Sequence, residues 1–231
     1  MKTITKISLL ICFLASGIVV NAQYIPKKRL TSDIRAGINL AEMDIKGANM
    51  YKEVKLGVNL GVNINYKFLG NMQFQTGFLI TKKGLKKHIN TLDRQPVVTV
   101  EYDEHNNTTG NYIQMPFNLG YELYTSRLFA FNINAGAYIA YGYKGKGTYA
   151  IRRTTTNTYE DEPLIERSEG EYESFTPERW KRLDYGLNAN IGFVYDIYSF
   201  CVSYEYGLYN ISRTNPELRN RNMSAAIGFR F

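Results

Sequence analysis

Residues that cross-link a chain are nearly missing here. Of two cysteines in 231 residues, Cys12 lies in an apolar amino-terminal run, which leaves Cys201 alone in the rest of the chain. No internal disulfide framework can form from one thiol, and Cys201 reads as a small packing residue. Prolines are few, at six, so little in the chain forbids long strands. Histidine occurs only twice, a thin supply of the side chain most often used for acid–base catalysis. Long hydrophobic runs are also lacking: past the first 22 residues none approaches the roughly 20 apolar residues of a transmembrane helix. Any insertion into a bilayer must therefore be by strands.

What is abundant points the same way. Nineteen Tyr, 12 Phe and 19 Gly suit a pleated surface, with Gly relieving crowding where a sheet curves tightly. At the amino end, Lys2 and Lys6 precede the apolar stretch Ile7 to Val20 and the small-residue site Val20-Asn21-Ala22. This is the pattern of a cleaved secretory signal peptide. The expected organisation is thus residues 1–22 as leader and 23–231 as one domain. The formal charge of +7 falls to about +5 when the two leader lysines are lost, an excess that favours anionic lipid or polysaccharide. An exported chain is not expected to meet nucleic acid.

Alternation with a period of two recurs through the mature chain and predicts eight strands. In Leu56 to Phe68 one parity is Leu56, Val58, Leu60, Val62, Ile64, Tyr66 and Phe68, and the other holds only Gly, Asn and Lys. Ile113 to Leu123 and Leu183 to Tyr195 repeat the pattern. The remaining strands are expected at Asp33 to Leu40, Met72 to Thr81, Leu128 to Gly142, Phe200 to Tyr209 and at the terminal segment ending in Phe231. Tight links, Leu69-Gly70-Asn71, Thr125-Ser126-Arg127 and Ile197-Tyr198-Ser199, alternate with long ones at Ala41 to Lys55, Lys82 to Thr109, Tyr143 to Arg182 and Asn210 to Arg221. Short periplasmic turns and long extracellular loops are the habit of outer-membrane barrels, and an even strand number puts both termini in the periplasm. The fold class expected is all-β, an eight-stranded antiparallel transmembrane β-barrel with long extracellular loops.

A soluble, lipocalin-like barrel would turn the apolar parity inward around a ligand. Water-facing strands usually carry Lys, Glu and Thr, whereas this polar parity is mostly Gly and Asn with scattered Gln, Glu and Arg. That mixture suits a narrow hydrogen-bonded lumen. Tyrosines near strand ends (Tyr66, Tyr121, Tyr141, Tyr185, Tyr195) fit interfacial girdles, and the closing alternation to Phe231 fits a last strand that pairs with the first.

The segments Ile34-Arg35-Ala36-Gly37-Ile38-Asn39-Leu40, Tyr112-Ile113-Gln114-Met115-Pro116-Phe117 and Asp184-Tyr185-Gly186-Leu187-Asn188 are joined by Tyr204 to Ile211 and Asn220 to Phe231. Together they make the chain resemble the PorT family of Bacteroidetes outer-membrane β-barrel proteins, a branch of the small OmpA-like and OmpX-like barrels. The resemblance spans the mature chain. It implies the barrel fold and an outer-membrane location; the founding member's association with protein secretion makes an accessory role in secretion one expectation.

No catalytic set and no cofactor motif emerges. His88 and His105 fall in the second long connection, where Asp103, Glu104 and His105 are consecutive loop residues expected to diverge, so no metal site is predicted. No serine shows nucleophile-elbow spacing. Inside the barrel, parity aims Arg35, Lys67 and Arg230 at Glu122, Asp184 and Glu205, a structural charge network that must be paired because buried charges are costly alone. Eight strands leave a lumen that side chains largely fill. The third connection runs from basic (Lys144, Lys146, Arg152, Arg153) to acidic (Glu160, Asp161, Glu162, Glu166, Glu169, Glu171, Glu173). It is expected to lace to the lysine-rich second connection above the membrane. The functions in view are a structural or surface-interaction protein touching lipid, lipopolysaccharide or a protein partner through its outer loops; a small selective channel; and, last, a barrel enzyme.

Overall fold

The computed structural model describes residues 28–45, 51–157, 159, 162–214 and 216–231; the expected leader at 1–22 lies outside them. Ten strands are present among these residues: β1 (Leu30–Ile45), β2 (Tyr51–Glu53), β3 (Lys55–Leu69), β4 (Met72–Arg94), β5 (Val98–Tyr124), β6 (Phe129–Asn157), β7 (Leu164–Glu173), β8 (Leu183–Tyr195), β9 (Tyr198–Gly207) and β10 (Leu218–Arg230). No helix among them is long and apolar enough to cross a membrane. Leaving β2 and β7 aside, the other eight pair antiparallel with their chain neighbours. Strand β10 returns to β1 over a register from Asp33↔Arg230 to Ile45↔Leu218. The sheet therefore closes on itself and leaves no spanning edge strand.

Burial along these strands is inverted relative to a water-soluble barrel. The inward parity is polar: Asp33, Asn39, Asn65, Gln73, Gln75, Asn118, Glu122, Asn134 and Asp184 are at most 2% exposed. The outward parity is apolar and open, with Leu56, Val58, Leu60 and Phe78 all above half exposed. Because successive side chains point to opposite faces, one alternating sequence supplies both surfaces. Such an outer belt is stable only against hydrocarbon, which removes the lipocalin-like alternative. Tyr66, Tyr121, Tyr195 and Tyr198 ring one end of the belt and Tyr141, Tyr185 and Tyr206 the other, as amphipathic rings do at lipid–water interfaces.

At one end the connections are tight. Strands β3 and β4 turn through Gly70 and Asn71, and β8 and β9 through Asp196 and Ile197, with the first residue of each turn at φ 54°. Gly and Asp are among the residues that tolerate this left-handed backbone. Between β5 and β6, Ser126 Oγ accepts from the amides of Leu128 and Phe129 at 3.3 and 3.0 Å. The last turn lies slightly earlier than the alternation placed it, at Asp196 and Ile197.

The other end departs from expectation. The second connection is no loop: β4 and β5 stay in register from Lys82↔Asn111 out to Arg94↔Thr99. The third begins as a continuation of β6, paired to β5 as far as Val98↔Asn157, and β7 folds back on β6 from Lys146↔Glu173 to Thr155↔Leu164. With β2 paired to β4 over residues 51–53 and 86–88, the order β2-β4-β5-β6-β7 forms a sheet that projects past the apolar belt. Alternation fades in it because no hydrocarbon selects a face, while Thr, Ile, Val and Tyr still favour the extended ladder. Its edge β7 is rich in charge, which blunts unwanted pairing. The expected lacing of the two connections by opposite charge is also replaced. Backbone ladders join β5 to β6, and the ion pairs Lys146–Glu171 and Arg153–Glu166, both 3.6 Å and exposed, lie within the third connection.

Candidate functional site

The lumen is organised in layers. At the tight-turn end, Arg230 donates from Nε to Asp33 Oδ1 at 2.6 Å and from Nη1 to Glu122 Oε2 at 3.0 Å. Lys67 Nζ lies 3.1 Å from Glu122 Oε1, and Arg35 Nη2 donates to Asp33 Oδ2 at 2.9 Å. All these groups are buried. Arg35 thus takes its carboxylate from two residues away on its own strand and not from across the interior, as the alternation had suggested.

Above this layer sits a girdle of amides. Gln75 donates to Asn65 at 2.8 Å and accepts from Asn118 and Asn190 at 3.1 and 3.0 Å. Asn134 donates to Asn190 at 2.8 Å and accepts from Gln73 at 2.7 Å. Asn65 donates onward to Asp33 at 2.8 Å, so the girdle is continuous with the charged layer. Gly120 makes room for Asn134, whose side chain occupies the place a Cβ would take. The space left in mid-lumen is about 50 Å³.

The third layer, toward the projecting sheet, centres on Lys83. Its Nζ is 2.9 Å from Glu205 Oε2 and 3.4 Å from Asp184 Oδ2. Gln114 and Asn222 donate to Glu205 at 2.7 and 3.2 Å; Asn220 and Tyr138 donate to Asp184 at 2.9 and 3.2 Å. Among the described residues the six charges expected inward are all in the lumen, joined by Asp33 and Lys83. Asp33 begins the predicted first strand at the same parity as Arg35, and Lys83 continues the parity of Thr81 one step past the predicted strand end. Counting them, the tight-turn layer carries one excess positive charge and the Lys83 layer one excess negative charge, so the lumen as a whole is neutral.

An apolar plug covers the Lys83 layer. Phe175 and Trp180, from the segment between β7 and β8, and Ile211, between β9 and β10, pack with Met43, Ile45, Leu85, Tyr112 and Tyr138. The Phe175 ring lies edge-on to Tyr112 at 5.5 Å and over Gly142, where any larger residue would collide with it. Trp180 bridges to Ser212 in the neighbouring connection. Phe175, Trp180 and Ile211 lie outside the alternating segments, and nothing in the sequence alone marked them as core.

On the projecting sheet, His88 of β4 and His105 of β5 are register partners. Their rings stack with centroids 4.0 Å apart and 15° between planes. His88 Nε2 is 2.6 Å from Asp103 Oδ1, and His105 Nε2 is 3.5 Å from the same oxygen. The expectation that Asp103, Glu104 and His105 diverge as loop residues is corrected by strand geometry: positions 103 and 105 share a face, while Glu104 accepts from Tyr102 and Asn106 on the other.

No curated protein matches the chain. Among solved structures, the attachment invasion locus protein Ail of Yersinia pestis is 12% identical, covering 88% of this chain and 100% of its own, with a TM-score of 0.33. OprG from Pseudomonas aeruginosa is 12% identical over 88% and 97% of the two chains at 0.35. The outer membrane protease OmpT from Escherichia coli is 12% identical over 91% and 99% at 0.36. Residues 21–213 match the family described as outer membrane protein beta-barrel domain, and with most of its length inside that match the chain belongs to this outer-membrane β-barrel family.

Proposed function

We propose that this protein is a non-conducting, non-enzymatic outer-membrane barrel that holds its projecting β-sheet at the cell surface as an interaction platform. One observation carries the reading: the lumen is closed by an ion-paired layer, an amide girdle, a second charged layer and an apolar plug, while β4, β5 and β6 run on as one sheet beyond the lipid belt. A channel would need a continuous hydrated path, and filling an eight-stranded lumen with bonded side chains works against one. In this reading residues 1–22 are a cleaved signal peptide, both termini are periplasmic, and the long connections meet lipopolysaccharide and a protein partner outside the cell. Placement in the PorT branch, and a role accessory to protein secretion, rest on the sequence resemblance alone.

Two measurements test this. Purified barrel in planar bilayers is expected to show no single-channel steps; regular steps of ion conductance would move the small-channel reading ahead. Photo-crosslinkers at Thr91 and Thr156 on the projecting sheet, in intact cells, are expected to capture a defined partner. Capture from probes at the tight turns and none from the sheet would defeat the platform.

A further inference from the structure

Both histidines of the 231-residue chain stand side by side on the projecting sheet, and both aim Nε2 at one carboxylate oxygen. We propose that His88, Asp103 and His105 form a surface site for a borderline divalent transition-metal ion, with Zn²⁺ as the type case. The register supplies the geometry: His88 and His105 are directly paired across β4 and β5, and Asp103 precedes His105 by two residues, so all three side chains leave the same face. Their ligand atoms lie within 4.8 Å of one another. A tetrahedral ion with bonds of about 2.0–2.2 Å needs ligand atoms roughly 3.3 Å apart. The spacings of 2.6 and 3.5 Å already bracket that value. The rest of the adjustment needs only rotation of side chains that are 30–60% open, since their backbone positions are held in paired strands.

Ligand chemistry selects the class of ion. Two neutral imidazoles and a carboxylate suit Zn²⁺, Cu²⁺ or Ni²⁺, whereas Ca²⁺ and Mg²⁺ want oxygen alone. Three protein ligands leave at least one coordination position for water or for an oxygen of an anionic partner. Space for it exists, because the site opens on a groove of about 730 Å³ that is also lined by Glu53 and Glu169. Other charges on this face are opposed in sign: Glu53 and Glu169 favour a cation, while Lys86 and Arg152, the latter opposite Asp103 in register, work against it. Affinity must therefore come from the three ligands and not from the general field. On β4 the site shares the parity of Phe78 and Ile80, which lie on the lipid belt. It stands about 26 Å further along the strand than Ile80 at roughly 3.3 Å per residue, well clear of the hydrocarbon.

The experiment is calorimetric titration of Zn²⁺, with Mg²⁺ in excess, into the untagged barrel folded in detergent, because a polyhistidine tag would mask the result. One ion per chain is expected, with affinity weakened about tenfold or more in His105→Asn and in Asp103→Asn, and unchanged in Glu104→Gln. Heat-dependent gel mobility verifies that each variant is folded, and the ring-proton resonances of both histidines should move together on adding Zn²⁺. Absence of saturable binding to the wild-type chain would overturn the site. So would stoichiometric binding that survives both ligand substitutions, or one ion shared between two chains.

Discussion

Arg230 lies directly across the closing seam from Asp33 and grips it with two bonds, Nε to Oδ1 at 2.6 Å and Nη2 to Oδ2 at 3.1 Å. The seam between first and last spanning strands is thus marked by a bidentate ion pair, fully buried on the aspartate side. Two-point geometry of this kind fixes direction as well as charge. A slip of one residue in register would aim Arg230 at lipid. The pair therefore serves registration as much as stability.

Asp33→Asn removes the carboxylate shared by Arg230 and Arg35 and leaves Glu122 to face three cations. Breaking a buried pair on one side costs about 3–5 kcal/mol. The variant should lose its compact gel mobility at a clearly lower temperature than wild type. An unchanged transition would mean that water screens this layer.

Around Lys83 the arithmetic of charge reverses the intuitive order. Glu205→Gln leaves a balanced Lys83–Asp184 pair, whereas Lys83→Met leaves two buried carboxylates on one side of the lumen without a cation. The lysine variant is expected to lose about 3–5 kcal/mol and the glutamate variant distinctly less, as read by unfolding in urea with lipid vesicles. Equal losses would refute the pairing, and conductance raised many-fold in either would show the layer to be a gate.

Leu60 and Leu187 are 56% and 52% exposed on the belt, while Asn59 and Asn188 face the lumen. An arginine on the lipid face near mid-membrane costs roughly 2–4 kcal/mol. Leu60→Arg and Leu187→Arg should therefore assemble poorly in vesicles where Asn188→Ser assembles well. Similar yields for all three would argue that this surface is not lipid-facing.

Trp180 is the single tryptophan and is 6% exposed within the plug, so its fluorescence reports the plug alone. Folded barrel should resist quenching by acrylamide. Trp180→Ala, which loses about 3–5 kcal/mol of local packing, should open the segment between β7 and β8 to protease without opening a pore, because the charged layers beneath remain. A freely quenched Trp180 in the folded barrel would show that the plug does not form.

Whole-cell labelling checks orientation. The background is low, since Cys201 is buried. Cysteine at Gln95, in the exposed turn between β4 and β5, should react with an impermeant maleimide, and cysteine at Ser126 should not. Reaction at Ser126 alone would turn the barrel over.

Much of the barrel was legible in the chain because hydrocarbon imposes a rule on every second residue. Leu56 to Phe68 alternates so strictly that the strand follows from parity alone, the Gly and Asn of its polar parity tell lumen face from lipid face, and the same parity in the other strands aims the six charges inward. Where the bilayer ends, that rule ends. Lys86 to Arg94 has no face to sort, so a continuous strand reads as a loop, and Lys83, a single step of parity past the predicted strand end at Thr81, is missed from the lumen. Partner choice was equally out of reach: Arg35 pairs within its own strand, and Glu205 meets a lysine, because distances across an eight-stranded lumen depend on register and tilt, which no local pattern encodes. The plug of Phe175, Trp180 and Ile211 gathers residues from two connections, and His88 meets His105 and Asp103 through a hairpin register set by the turn at residues 95–97. Periodicity is a local property that one strand carries by itself; these contacts are non-local and arise only when the closed sheet places distant strands side by side.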